Sequence, residues 1–79
     1  MRVDVMLFGQ YSRLLPAEAR EGRATLDVQE PASVALVLDR LGVPPEGRTY
    51  VTVNGVLSAQ EAELAEGDEI RVVVPLGGG

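Results

Sequence analysis

The sequence contains no cysteine and no histidine. Without cysteine there are no disulfides, no thiolate zinc sites and no thiol nucleophile. Without histidine, imidazole metal ligation and Ser-His-Asp relays are excluded. Lysine is missing as well: the seven basic residues are all arginine, at positions 2, 13, 20, 23, 40, 48 and 71. No lysine Schiff base can form, and copies of the chain cannot be joined through a lysine isopeptide bond. Tryptophan is absent, and the aromatic residues are Phe8, Tyr11 and Tyr50 alone. No apolar run approaches the roughly 18 residues of a membrane-spanning helix. The apolar start, Val3 to Phe8, is interrupted by Asp4 and does not read as a secretory signal. The expectation is a cytoplasmic protein with no membrane partner.

What is present is ordinary globular material: 79 residues, 46% of them hydrophobic and 24% charged, enough for one small domain. A net charge of −5 argues against a nucleic-acid partner. A core this small leaves no room for an internal ligand cavity of the usual ~300 Å³ or more. Pairs such as Glu61 and Glu63 match no cation-binding loop. Neither a metal nor a bound cofactor is expected, and the domain has few groups with which to be an enzyme.

Residues 2–8 alternate, with Val3, Val5 and Leu7 on one face and Arg2 and Asp4 on the other, which predicts a strand ended by Gly9. Residues 23–28 alternate in the same way, Ala24, Leu26 and Val28 inward, and a connection over residues 14–22 makes the two strands a long-looped hairpin. The period then changes. Val34, Val37, Leu38 and Leu41 form one helical stripe, with Ser33 as N-cap, Gly42 at the C-terminus and Pro44-Pro45 forbidding continuation. Tyr50 to Val53 is a strand, Asn54-Gly55 a hairpin turn and Val56-Leu57 a brief return. Residues 60–64 suggest a helical turn, Glu66-Gly67-Asp68 a tight turn, and Ile70 to Val74 the last strand. This order predicts an α+β domain, a mixed sheet of four or five strands with one main helix across one face, its first and last strands adjacent: the β-grasp arrangement. The domain spans residues 1–74 and leaves residues 75–79 as a flexible tail.

The tail is the unusual feature. Gly77-Gly78-Gly79 follows an apolar strand without a polar spacer, and Pro75 stiffens the exit. A carboxylate on a side-chain-free string suits the threading of a narrow channel in another protein. The reach from Pro75 to Gly79 is at most about 16–18 Å. A carboxylate is a poor electrophile, since its leaving group would be oxide. Adenylation by ATP makes it an anhydride that a sulfur nucleophile can attack, giving a thiocarboxylate. The domain has no groups to catalyse these steps, so under this reading an activating enzyme is obligatory; the other reading of the glycines is a frayed end.

The β-grasp order, the Val53-Asn54-Gly55 turn, the Glu66-Gly67-Asp68-Glu69 turn before the last strand and the terminal Gly78-Gly79 together resemble the ubiquitin-like sulfur carriers. These comprise the small subunit of molybdopterin synthase and the thiamine-biosynthesis sulfur carrier. The start, Val5-Met6-Leu7-Phe8-Gly9 running on to Arg13, is more similar to the molybdopterin type. The resemblance implies that Gly79 is adenylated by a ubiquitin-activating-type enzyme, which uses the ATP, and converted to a thiocarboxylate. It implies sulfur delivery to a synthase large subunit, with Pro75, Leu76, Gly77 and Gly78 held by the partner. The molybdopterin type has an aromatic residue and a Pro-Pro pair where this chain has Val73-Val74-Pro75-Leu76, so thiamine synthesis and tRNA thiolation stay open.

Glu61, Glu63, Glu66, Asp68 and Glu69 place five carboxylates within nine residues, readable as a solvated loop or as a docking surface for a basic patch. Phe8, Met6 and Val73 are expected on the sheet face away from the helix, with Phe8 and Val73 as partner contacts. Tyr11 and Tyr50 read as packing groups. Two other functions compete with the carrier: a protein modifier joined through Gly79 to lysines of targets, and a β-grasp interaction module with an inert tail.

Overall fold

The computed structural model describes residues 1–48 and 50–73. Five strands, β1 (Arg2–Leu7), β2 (Arg23–Asp27), β3 (Tyr50–Val53), β4 (Val56–Leu57) and β5 (Glu69–Val73), form one sheet with order β2-β1-β5-β3-β4. One helix, α1 (Val34–Leu41), packs on one face. β1 and β2 pair antiparallel with Val3 opposite Leu26 and Val5 opposite Ala24, which is the expected hairpin. β1 and β5 are the parallel pair at the centre, with Val5 opposite Ile70 and Leu7 opposite Val72. The mixed β-grasp sheet and its single helix are therefore as the patterning predicts, and strand number settles at five.

Alternation decides which side chains meet the helix. Val3, Val5 and Leu7 from β1 and Ile70 and Val72 from β5 are buried, and Val34, Val37 and Leu38 of α1 close over them. Leu26, Leu41 and Val53 pack at the margin of this core and are only partly buried. The helix ends follow the side-chain chemistry. Ser33 accepts a hydrogen bond from the Leu36 N–H at 3.1 Å, and Gly42 takes the left-handed conformation at φ 88°. Arg48, nine-tenths buried, folds back on the C-terminal end: its Nε donates to the Val43 carbonyl at 3.0 Å and its Nη2 to Asp39 at 2.6 Å. A guanidinium placed there also complements the negative end of the helix dipole.

Three features differ from the sequence reading. Residues 60–64 form a single turn, closed by the Ala62 N–H donating to the Ala59 carbonyl at 3.2 Å, and no helix. The Val34 N–H donates to the Ala62 carbonyl at 3.1 Å and the Ala35 N–H to the Gln60 carbonyl at 2.9 Å, so this segment satisfies the free N–H groups of α1. Second, the β1–β2 connection is ordered: Gly9–Leu14 forms a 3-10 helix. Third, Pro45–Gly47 forms a short 3-10 turn after α1. Tyr11 ties these last two together, because a Cβ built on Gly47 would fall on the Tyr11 ring and hydroxyl. The last strand ends at Val73; Val74, the tail residues 75–79 and the boundary placed between residues 74 and 75 lie outside the described residues.

Two stability outcomes follow. Leu38→Ala removes a fully buried side chain from the helix–sheet core and is expected to cost roughly 2–5 kcal/mol in urea unfolding. Gly47→Ala forces Tyr11 aside and is expected to cost about 1–3 kcal/mol, although it would stabilise an unconstrained turn. An unchanged urea midpoint in either variant contradicts the packing described.

Candidate functional site

Among the described residues the second face of the sheet carries no helix, and its composition follows from register. Met6 lies between Arg23 on β2 and Arg71 on β5, and Arg71 is opposite Thr52, which is opposite Leu57. The adjoining row on this face is apolar. Val73 is opposite Tyr50, and Phe8 follows the Leu7–Val72 pair in extended conformation beside Val73. Phe8 is 39% exposed, Val73 41% and Tyr50 45%. Phe8 and Val73 thus stand together on the open face, as expected. Tyr50 does not: read as a packing group, it is a third exposed member of the patch, placed there by a register that the sequence does not display. Tyr11 is partly buried against the core, in agreement with a packing role.

A charged cluster borders the apolar row. Glu69 Oε2 accepts from Arg23 Nη2 at 2.8 Å, and Glu69 Oε1 accepts from Arg71 Nε at 3.1 Å. Arg23 Nη2 also approaches the Met6 sulfur at 3.6 Å. The two arginines come from strands separated in the sheet by β1, so their proximity is a cross-strand fact. Outward alternation of Arg23 and Arg71 was the available signal, but only pairing places them about one carboxylate.

The acidic run therefore divides. Glu69 belongs to the sheet face. Asp68 accepts from Asn54 Nδ2 at 2.9 Å and from the Ala65 N–H at 2.8 Å, and the Glu66 carboxylate accepts from the Arg2 N–H at 2.9 Å. These bonds hold the loop under the start of β1. Asn54 and Gly55 take φ of 54° and 86°, which the hairpin turn requires. The loop and the Phe8–Val73–Tyr50 row consequently sit at opposite ends of the strands. Among the described residues no cluster of potential ligands gathers to hold a metal ion. No helix among them is long and apolar enough to cross a membrane. An open groove of about 920 Å³ beside α1, floored by Met1, Val28, Pro31 and Leu36, lies at the loop end, away from the apolar row.

Val73 is where the described chain stops, so Pro75, Leu76, Gly77, Gly78 and Gly79, all expected to contact or undergo chemistry at a partner, lie outside the described residues. The face next to their point of departure is described. It offers apolar area and guanidinium groups, and in it no nucleophile stands beside a base. Exposed apolar side chains beside guanidinium groups suit binding.

Comparison with known proteins agrees with this architecture. SAMP1 from Haloferax volcanii superposes with a TM-score of 0.72 at 24% identity, covering 100% of both chains. A second structure, of H. volcanii small archaeal modifier protein 1, gives 0.67 at 23% identity over 89% of this chain and 92% of the other. A Pyrococcus furiosus protein assigned as molybdopterin converting factor, subunit 1, gives 0.72 at 22% identity over 95% of this chain and 98% of the other. At these identities the likeness establishes the ubiquitin-like β-grasp fold. No curated protein matches the sequence. The family model for the ThiS family matches residues 5–79, from the first strand through the terminal glycines, and the chain belongs to that family.

Proposed function

We propose that this chain is a protein-borne sulfur carrier, not an enzyme, whose reactive group is the carboxylate of Gly79. The observation that carries the reading is the ThiS family match, which extends through the glycine tail to residue 79. In the proposed cycle a carboxylate oxygen of Gly79 attacks the α-phosphorus of ATP on a separate adenylating enzyme, and pyrophosphate leaves. A sulfur nucleophile then attacks the acyl carbon and displaces AMP, which leads to a thiocarboxylate. A synthase large subunit receives the sulfur. The molybdopterin pathway is favoured by the Val5-Met6-Leu7-Phe8-Gly9 start and by the structural likeness to a protein assigned as molybdopterin converting factor, subunit 1. Pro75 to Gly78 pass through the partner's channel, and the work takes place in the cytoplasm.

The open face supports this division of labour. Phe8, Tyr50 and Val73 give an adenylating enzyme an apolar surface beside the point where the tail departs. Enzymes of this kind position the carboxylate by holding the domain that bears it, so affinity and reactivity are linked through one short segment. A second reading is a protein modifier joined through Gly79 to target lysines. It is favoured by the likeness to the small archaeal modifier protein, whose whole chain aligns with this one.

The face and the tail can be tested separately. Phe8→Asp, Tyr50→Asp and Val73→Asp should each weaken binding to the adenylating enzyme at least tenfold, about 1.4 kcal/mol. Because these side chains are exposed, thermal unfolding should change little. Normal affinity in all three would remove the patch from the interface. Gly78→Val should fold normally but lower ATP–pyrophosphate exchange by more than a hundredfold, since about 3 kcal/mol of lost positioning suffices for that. An amidated Gly79 should not support exchange at all. Exchange at the wild-type rate by both tail variants would leave the inert interaction module as the better account. Intact mass of protein isolated from its native source distinguishes the rest: replacement of oxygen by sulfur adds ~16 Da and marks the carrier, whereas isopeptide-linked targets mark the modifier.

A further inference from the structure

We propose that the edge of the sheet at β4 is a self-association surface, at which a second copy of this chain pairs antiparallel to β4 about a two-fold axis. The two sheets then join into one of ten strands. Such pairing goes beyond the carrier function and does not depend on it.

β4 is an outer strand of the sheet, paired on one side with β3. The Ser58 N–H donates to the Val51 carbonyl at 2.9 Å, which makes Val51–Ser58 and Val53–Val56 the hydrogen-bonded pairs of the hairpin. Leu57 stands between them, opposite Thr52 in a pair without mutual hydrogen bonds. Its N–H and C=O therefore point away from β3, toward the open edge. The side chains beside that edge are apolar on both faces. Val56 is opposite Val53 on the helix side, and Leu57 is opposite Thr52 on the other. At 69% and 68%, they are the most exposed of the large hydrophobic residues described.

The charge pattern selects a second copy as the occupant. Positions 49–60 hold no Asp, Glu or Arg, the longest uncharged stretch in a chain of net charge −5. Around a two-fold axis each group meets its own copy, so a charge near the axis would face itself. With Leu57 at the axis, its N–H donates to the Leu57 carbonyl of the second copy and its carbonyl accepts the reverse bond. The charged side chains nearest through the pairing are Arg71, two strands in, and Asp68, whose carboxylate already accepts from Asn54 and the Ala65 N–H. Arg48 and Glu61 bound the stretch in sequence, and Arg48 turns inward onto Val43 and Asp39. The opposite edge is built differently. β2 begins with Arg23 and ends with Asp27, and the Arg23 N–H and carbonyl are both taken by Arg20. Charged side chains and covered backbone protect a sheet edge from pairing, and among the described residues β4 has neither. Its shortness keeps the contact small and the association reversible. The two-fold axis uses up the edge, so growth stops at two copies.

Sedimentation velocity of the full chain, from micromolar to millimolar concentration, should show the mass rising toward that of a dimer and no further. The Leu57 amide, open to solvent in the dilute chain, should exchange its hydrogen severalfold more slowly at the high concentration, as read by NMR. Leu57→Arg and Leu57→Glu should each weaken self-association about fivefold, because each sets like charges opposite one another. The two variants move the net charge in opposite directions, so a loss in both is local to the axis. An equimolar mixture should associate more strongly than either variant alone, since Arg then meets Glu. That recovery also shows that both variants fold, as the exposure of Leu57 leads one to expect. A chain that stays monomeric throughout, with a Leu57 amide that never slows, would overturn the pairing and leave the edge to a strand of a different protein. Undiminished dimerisation of both variants, or a mixture no better than its components, would place the contact elsewhere and overturn it as well.

Discussion

The parallel pairing of β1 with β5 is the contact on which the rest of the molecule depends. It joins the beginning of the chain to residues 69–73 in the middle of the sheet. Parallel neighbours require a crossover connection, and here the crossover is everything between them: hairpin strand, helix, second hairpin and loop. The buried residues Val3, Val5, Leu7, Ile70 and Val72 all come from this pair, so the platform under α1 is complete only when the two ends have met. The order is costly in loop closure, and Leu38 and Val34 above the pair offset that cost through burial. Nothing local in either strand could hold it.

The same pairing determines the composition of the open face proposed for binding. Side chains that alternate away from the core on β1 and β5 must emerge beside one another on the side without a helix. Phe8 and Val73 are neighbours for that reason, and Glu69 can reach both Arg23 and Arg71. Core and interface are thus the two sides of one register. A slip of one residue between β1 and β5 would turn one strand over relative to the other, bringing Met6 to the core beside Val72 or Arg71 to the core beside Leu7. The stability of the core therefore specifies the interface without any contribution from the interface residues themselves.

This explains what could be read from the sequence and what could not. Alternation in Val3-Asp4-Val5, the stripe Val34-Val37-Leu38-Leu41 and the Asn54-Gly55 turn are local, and they suffice for the strands, the helix and the order of elements. The exposure of Phe8 and Val73 was legible because alternation puts both on the outward side. The place of Tyr50 in the same row was not, since it depends on standing opposite Val73, some twenty positions away. The Glu69 cluster was hidden for the same reason, and grouping it with the neighbouring acids obscured its attachment to the sheet. Residues 60–64 misled for a different one. Their local pattern permits a helical turn and one turn does close at Ala59–Ala62, but the Gln60 and Ala62 carbonyls meet the N-terminus of α1, and no helix is propagated.

A domain with so few reactive side chains can still control a reaction if it controls where its terminus is delivered. From Val73, the six residues to Gly79 reach at most about 22 Å. Any enzyme that acts on the terminal carboxylate must then hold the sheet within that distance of its catalytic centre. The part of the domain nearest Val73 is the row of Phe8 and Tyr50, and the strand end bearing the acidic loops is further by the length of the sheet. A partner that gripped the acidic end would consume most of the tail's reach along the domain itself before entering a channel. Reach, apolar exposure and the placement of the arginines therefore converge on one end of the molecule. Under the proposed carrier function, the end of the open sheet face that bears Phe8, Tyr50 and Val73 is the surface an adenylating enzyme would hold to receive the carboxylate.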